Sequence, residues 1–217
     1  MEVRKTDEFV EWFDALRDRA AKARIQVRID RMERGNLGDA KFFDGIGELR
    51  IDYGSGYRVY FIKRDNVIVI LLCGGDKSSQ QKDIRKAQLM AKSVKPPTPN
   101  PRTPIQITRF IHMTIRTTKW DTSEFLDSEE AIVAYIEAAF EDGDPAAITH
   151  ALGNVARARG MTAIAKEAGV TRRALYKALS EDGDPRLSTL LGVVKALGVR
   201  LSVTAGDDSL AENRLAS

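Results

Sequence analysis

Apolar side chains recur at helical spacing from Asp7 to about Arg34: Phe9, Trp12, Phe13 and Leu16, then Ala20, Ile25, Ile29 and Met32. The pattern stops at Gly35, and its length suits two helices rather than one. Alternating or wholly apolar runs follow between turn signals: KFFD, GELRIDY, the Gly-rich YGSG, YRVYFIK, the polar Arg64-Asp65-Asn66, and VIVILLC. These predict a meander of antiparallel strands. From Ser78 to Lys92 the helical period returns, with Ile84, Ala87, Gln88 and Ala91 on one side. Helices, a sheet and a closing helix within residues 1–94 define an α+β domain.

Periodicity then fails. Pro96, Pro97, Pro99, Pro101 and Pro104 are five of the seven prolines in the 217-residue chain, so residues 95–118 read as an extended, polyproline-like linker. A spacer of this length allows the flanking halves to dock within one chain or between two. Beyond it, residues 119–217 look helical throughout. Ser128 stands before EEAIVAYIEAAF as an N-cap with acids in the first turn. EDGDP occurs at 141–145 and again at 181–185, and each copy is expected to stop one helix at Gly and start another with an Asp cap and Pro at its first position. The spacing of these aspartates lacks the full ligand set of a calcium loop.

Residues 161–180, MTAIAKEAGVTRRALYKALS, carry the most specific pattern in the chain. Ile164, Ala165, Ala168, Val170, Leu175 and Ala178 are apolar or small, and Gly169 sits where two short helices would reverse. Ala165 permits close approach, while Leu175 and Ala178 bury the second helix against the first. The opposite face offers Thr171, Arg172, Arg173, Tyr176 and Lys177, a basic stripe suited to DNA. The stretch resembles the helix-turn-helix antitoxins of addiction modules (HigA-like), and the likeness extends through DSEEAIVAYIEAAF and GDPRLSTLLGVVKALGVRL. The resemblance implies a homodimer that binds operator DNA and represses its own operon.

Charge separates the halves. Residues 1–94 hold 19 basic and 15 acidic side chains, 95–119 hold five basic and no acidic ones, and 120–217 hold ten and sixteen. A basic half tied to an acidic half suggests docking of one on the other. Residues 120–144 alone contain nine acids and no Lys or Arg, interleaved with Trp120, Phe125, Tyr135 and Phe140, so the first helix after the linker could cover a basic active surface. No apolar run approaches the roughly 18 residues of a membrane span. The charged start, Met1 to Glu8, lacks the apolar core of a secretory signal, so a cytoplasmic location without membrane partners is expected. The one cysteine, Cys73, reads as a buried core residue.

Chemistry in the first half must do without imidazole, because the two histidines, His112 and His150, lie beyond it. No Cys/His cluster, phosphate loop or Ser/His/Asp set appears, and neither a metal nor a cofactor is expected. What remains is a sheet bearing Lys, Arg and Tyr. The stretch RIQVRIDRMERGNLGDAKFFDGIGELRIDYGSGYRVYFIKRDNVIVILLCGGDKSSQQKDI resembles the RelE/HigB-like killer toxins of addiction modules. That resemblance implies a RelE-like α+β fold with N-terminal helices packed on an antiparallel sheet, followed here by the all-α helix-turn-helix domain. It also implies ribosome-dependent cleavage of mRNA, with Arg50, Tyr57, Arg58 and Lys77 as the site. Arg50 and Arg58 would stabilise charge on the phosphorus, Lys77 would serve as acid or base, and Tyr57 would stack a base or relay a proton. The competing reading has these cations merely grip rRNA or pair with Asp52 and Asp76. Two other assignments compete: a ParE-like gyrase inhibitor, and a transcription regulator with a non-catalytic N-terminal module.

Overall fold

A computed structural model describes residues 1–64, 67–94, 115–180 and 183–203. The chain opens on a strand, β1 (Glu2–Thr6), which helical periodicity from Asp7 onward does not announce. Two helices follow as expected, α1 (Asp7–Ala15) and α2 (Arg19–Glu33). Thr6 caps α1 by accepting from the Phe9 amide, and Asp18 caps α2 by accepting from the Ala21 amide. Strands β2 (Lys41–Phe43), β3 (Ile46–Ile51), β4 (Tyr57–Arg64) and β5 (Ile68–Gly75) then make the meander, and α3 (Gln80–Ser93) closes the half.

The sheet has six strands in the order β2-β3-β4-β5-β1-β6, where β6 is Thr117–Lys119. β1 runs parallel to β5, so the sheet is mixed rather than purely antiparallel. β6 lies antiparallel to β1, with Arg4 opposite Lys119 and Thr6 opposite Thr117. That placement corrects the boundaries: residues 117 and 118, assigned to the linker, belong to the sheet, and the second half begins with a strand rather than a helix. The prolines from Pro96 to Pro104, and His112 with them, lie outside the described residues.

Alternation divides the buried residues between two faces of this sheet. Val3, Leu49, Ile51, Val59, Phe61, Val69 and Leu71 pack with Phe9, Phe13, Ile25, Ile29 and Met32 of α1 and α2. Ile46, Tyr60, Ile62, Ile70, Leu72 and Cys73 pack with Ala87 of α3. Cys73 is buried as expected, and burial pushes its thiol up to about 12.

After a short 3-10 turn (Thr122–Phe125) come α4 (Glu129–Asp142), α5 (Pro145–Arg159), α6 (Met161–Glu167), α7 (Arg172–Ala178) and α8 (Leu187–Ala196). The first EDGDP punctuates as expected: Gly143, at φ 71°, ends α4, and Asp144 caps α5 with Pro145 in its first turn. The second does not, because α8 starts only at Leu187 after Arg186. Ala23 and Val27 of α2 belong to the same apolar cluster as Tyr135, Leu152, Ile164 and Leu175. Helix α2 is therefore packed on the sheet by one side and on the C-terminal helices by the other.

Candidate functional site

Arg50 and Arg58 face each other directly across β3 and β4. Both converge on Glu48, two residues before Arg50 and therefore on the same side of the strand. Arg50 Nε donates to Glu48 Oε2 at 2.9 Å, and Arg58 Nε lies 3.2 Å from Oε1. Tyr60 Oη and Gln80 Nε2 also donate to Oε1, at 3.3 and 2.8 Å. Glu48 is 1 % exposed, so its charge is held by a full set of partners rather than by water. Burial, with the Glu48 charge second, also raises the Tyr60 phenol above its ordinary range.

The two arginines thus pair with Glu48, and among the described residues neither forms an ion pair with Asp52 or Asp76. Asp76 instead accepts from Ser78, a local bond that holds its carboxyl below the usual range and orders the turn into α3. Arg58 Nη1 also donates to the Gly56 carbonyl at 2.7 Å. Lys77 is exposed beside the same turn: its amide donates to the Ser55 carbonyl at 3.4 Å. Arg58 pairs in register with Gly75, where an added Cβ would stand 1.9 Å from Asp83 Oδ2. Glycine there lets the start of α3 approach the arginines. Tyr57 takes the opposite side of β4, packing toward the α1/α2 core and bordering a groove with Trp12, Gly74 and Gly75. The structure therefore brings Arg50 and Arg58 together, with Lys77 at their margin, and sets Tyr57 apart from them. Sequence reasoning missed Glu48 and Gln80; an acid two residues before an arginine on a strand was the available signal.

The acidic helix α4 lies along α2 and its arginines. Arg24 pairs with Glu141, Arg31 Nη1 meets Asp142 Oδ1 at 2.6 Å, Arg34 reaches Asp144 at 3.5 Å and Arg19 reaches Glu130 at 3.6 Å. Arg50 borders the cleft between α2 and α4, near Glu141 and Asp142. The charge complementarity read in the sequence is real, but its centre is α2 rather than Arg58 and Lys77.

Between the halves, Asp30 of α2 accepts from Thr122 Oγ1 at 2.5 Å, from the Tyr135 hydroxyl and from Asn154 Nδ2 at 3.4 Å. All three donors come from the second half. Burial raises Asp30 to about 6, against the lowering effect of those hydrogen bonds. Burial and the Asp30 charge raise neighbouring Glu33 to about 7, and burial lowers His150 to about 4. One donor atom from each of these three lies within 4.8 Å of the others, the spacing of a cation site. The Asp30 oxygens are already occupied, and Arg34, Arg157 and Lys119 place positive charge beside the group. The arrangement fits retained protons better than a metal.

In the second half, α6 and α7 join through a reversal with Gly169 at φ 70°, and Leu175 is fully buried against α6. Thr171 caps α7 by accepting from the Ala174 amide at 3.1 Å. Thr171, Arg172, Arg173, Tyr176 and Lys177 are all exposed, as the sequence pattern required. Arg172 rests over the Tyr176 ring at 5.4 Å.

Residues 116–205 match a family described as "Probable addiction module antidote protein". Two proteins of Haemophilus influenzae, each described as an uncharacterized protein, are similar to parts of the chain. One is 50% identical over 95 residues, 43% of this chain and 96% of its own length; the other is 42% identical over 91 residues, 42% of this chain and 94% of its own length. No solved structure gives a significant match. The antidote-family match over the helical half suggests membership of a toxin–antitoxin system. Its C-terminal region is similar to the addiction-module antidote family.

Proposed function

We propose that the chain is a toxin and its antitoxin in one polypeptide, the first half a RelE/HigB-like, ribosome-dependent mRNA endoribonuclease and the second its neutraliser and a DNA-binding autorepressor. One observation carries this: the antidote-type region is docked on a half whose arginines are gathered on a buried glutamate. The two relatives are each matched over almost their full length by less than half of this chain, which supports a joining of separately existing proteins.

RNA cleavage by the neighbouring 2′-hydroxyl requires a base, stabilisation of charge at phosphorus, and an acid for the leaving 5′-oxygen. Arg50 and Arg58 keep their protons and fit phosphate oxygens. Glu48 accepts from Arg50 Nε and lies beside Arg58 Nε, which leaves terminal N–H donors on both arginines to meet a phosphate. Lys77, exposed at the margin, is the group free to move a proton. Tyr57, with Trp12 across the groove, serves as a stacking surface for a base rather than as a proton relay beside Arg58. In the second half, α7 is the recognition helix of a dimer: Arg172 and Arg173 reach base edges, while Thr171, Tyr176 and Lys177 hold phosphates.

The test is to add residues 1–94 to translating ribosomes and map message ends. Cuts within translated message support the reading. Intact message with gyrase-dependent DNA breaks would transfer the toxin to the gyrase-inhibiting class, and neither effect would leave a regulator with a non-catalytic N-terminal module.

A further inference from the structure

The contact between the halves has two parts of different physical character. One is the ladder of ion pairs along α2 and α4, in which Glu130 and Glu141 are exposed while Asp142, Asp144 and their partners Arg31 and Arg34 are partly buried. The other is the segment from Thr117 to Leu126. Its backbone extends the sheet: the Trp120 amide donates to the Val3 carbonyl at 2.9 Å, and Arg4 grips Thr117 through Nε to Oγ1 at 2.9 Å and Nη2 to the carbonyl at 2.8 Å. Its side chains then turn inward. Trp120 is 1 % exposed and stacks on Phe125 with ring centroids 4.8 Å apart. The pair meets Phe13 edge-on at 5.6 and 5.0 Å, and Trp120 meets Phe9 at 5.9 Å. Lys5 lies over both rings, 5.4 and 4.8 Å from their centroids, and pairs with Glu124. The indole N–H donates to Thr122 Oγ1 at 2.9 Å, which in turn donates to Asp30.

We infer that the open edge of β1 and the pocket of Phe9, Phe13 and Lys5 form a receptor for a short strand followed by a 3-10 turn, bearing Trp and, five residues on, Phe, and that this segment rather than acidic α4 anchors the second half. Strand addition supplies main-chain bonds while the inserted side chains give affinity and choice of partner. Buried aromatics dominate interface energies, and exposed ion pairs contribute little beyond steering. The occupant is residues 117–126 of this same chain. Val94 and Ile115 belong to one apolar cluster on the α3 side of the sheet. Docking thus resembles the binding of two separate proteins more than the continuation of one fold.

The experiment uses the full chain with a protease site placed between residues 95 and 114, cut after folding, and follows association of the halves on dilution. The parent halves should stay together. Trp120→Ala should weaken association at least about a hundredfold, and Trp120→Phe by about tenfold, with the uncut variants retaining their far-ultraviolet dichroism. Neutralising Glu130, Glu141, Asp142 and Asp144 together should weaken it less than about tenfold, with the loss shrinking at high salt. If Trp120→Ala unfolds the uncut chain, Trp120→Phe carries the test alone. Separation of the halves by the charge variants, with the tryptophan variants still associated, would overturn the inference. Because the readout is association, either result leaves the ribonuclease reading to its own assay.

Discussion

The chain presents two clusters of positive side chains, and they are built in opposite ways. Arg50 and Arg58 are gathered on a carboxylate that is 1 % exposed, with Tyr60 and Gln80 completing its shell. Arg172, Arg173 and Lys177 stand on the outer face of α7 with no carboxylate partner among the described residues. Preorganisation suits a site where charge develops in a transition state, since donors held in place need not reorganise as the reaction proceeds. Free, mobile cations suit a duplex, whose phosphates are met by counterion release and whose bases are met by adjustable side chains. Net charge alone would have placed the two clusters in one class.

Breaking one cluster should therefore leave the other untouched. The largest effect is expected for Arg58→Ala, which should lower message cleavage by ribosome-bound residues 1–94 by about 100- to 1,000-fold without changing DNA affinity. Glu48→Gln should follow, at roughly 10- to 100-fold, as a fall in turnover with little change in melting temperature; an equal loss of stability would show a merely structural role. Arg172→Ala and Arg173→Ala should each weaken operator binding by about 1–3 kcal/mol, measured by titration of labelled duplex. Lys177→Ala should weaken all sequences alike and lower the salt slope by about one.

The smallest expected effect is on pH dependence. Asp30 and Glu33 hold protons more tightly folded than unfolded, so the stability they confer is complete below about pH 4 and is lost as pH rises through about 6 and 7. His150, lowered to about 4, acts in the opposite sense, adding stability as pH rises from about 4 to 6.5. Two carboxyls outweigh one imidazole. Thermal melts of the full chain should show stability falling by on the order of 1 kcal/mol between pH 5 and 8, and Asp30→Asn should flatten that slope.

Legibility from sequence followed the range of the forces involved. Helices α1 to α5, strands β2 to β5 and the reversal at Gly169 were visible because periodicity, caps and turn residues are local. β1 and β6 were not, since five- and three-residue strands carry little period and depend on distant partners, β1 on β5 and β6, and β6 on β1. For the same reason Thr117 and Thr118 read as linker. Trp120 and Phe125 were visible as aromatics in an acidic stretch, but that their pocket lay in the other half was not. Arg50 and Arg58 could be singled out by residue type and resemblance, whereas Glu48 looked like an ordinary strand acid until the β3–β4 register set both arginines beside it.

The central claim is that the first half is harmful and the second restrains it. Residues 1–94 should be expressed in bacteria with and without residues 115–217 supplied from a separate promoter, with growth and message ends recorded together. Growth arrest accompanied by cuts inside translated messages, both abolished by the second fragment, is the expected result. Normal growth and intact messages while residues 1–94 accumulate in folded form would contradict it.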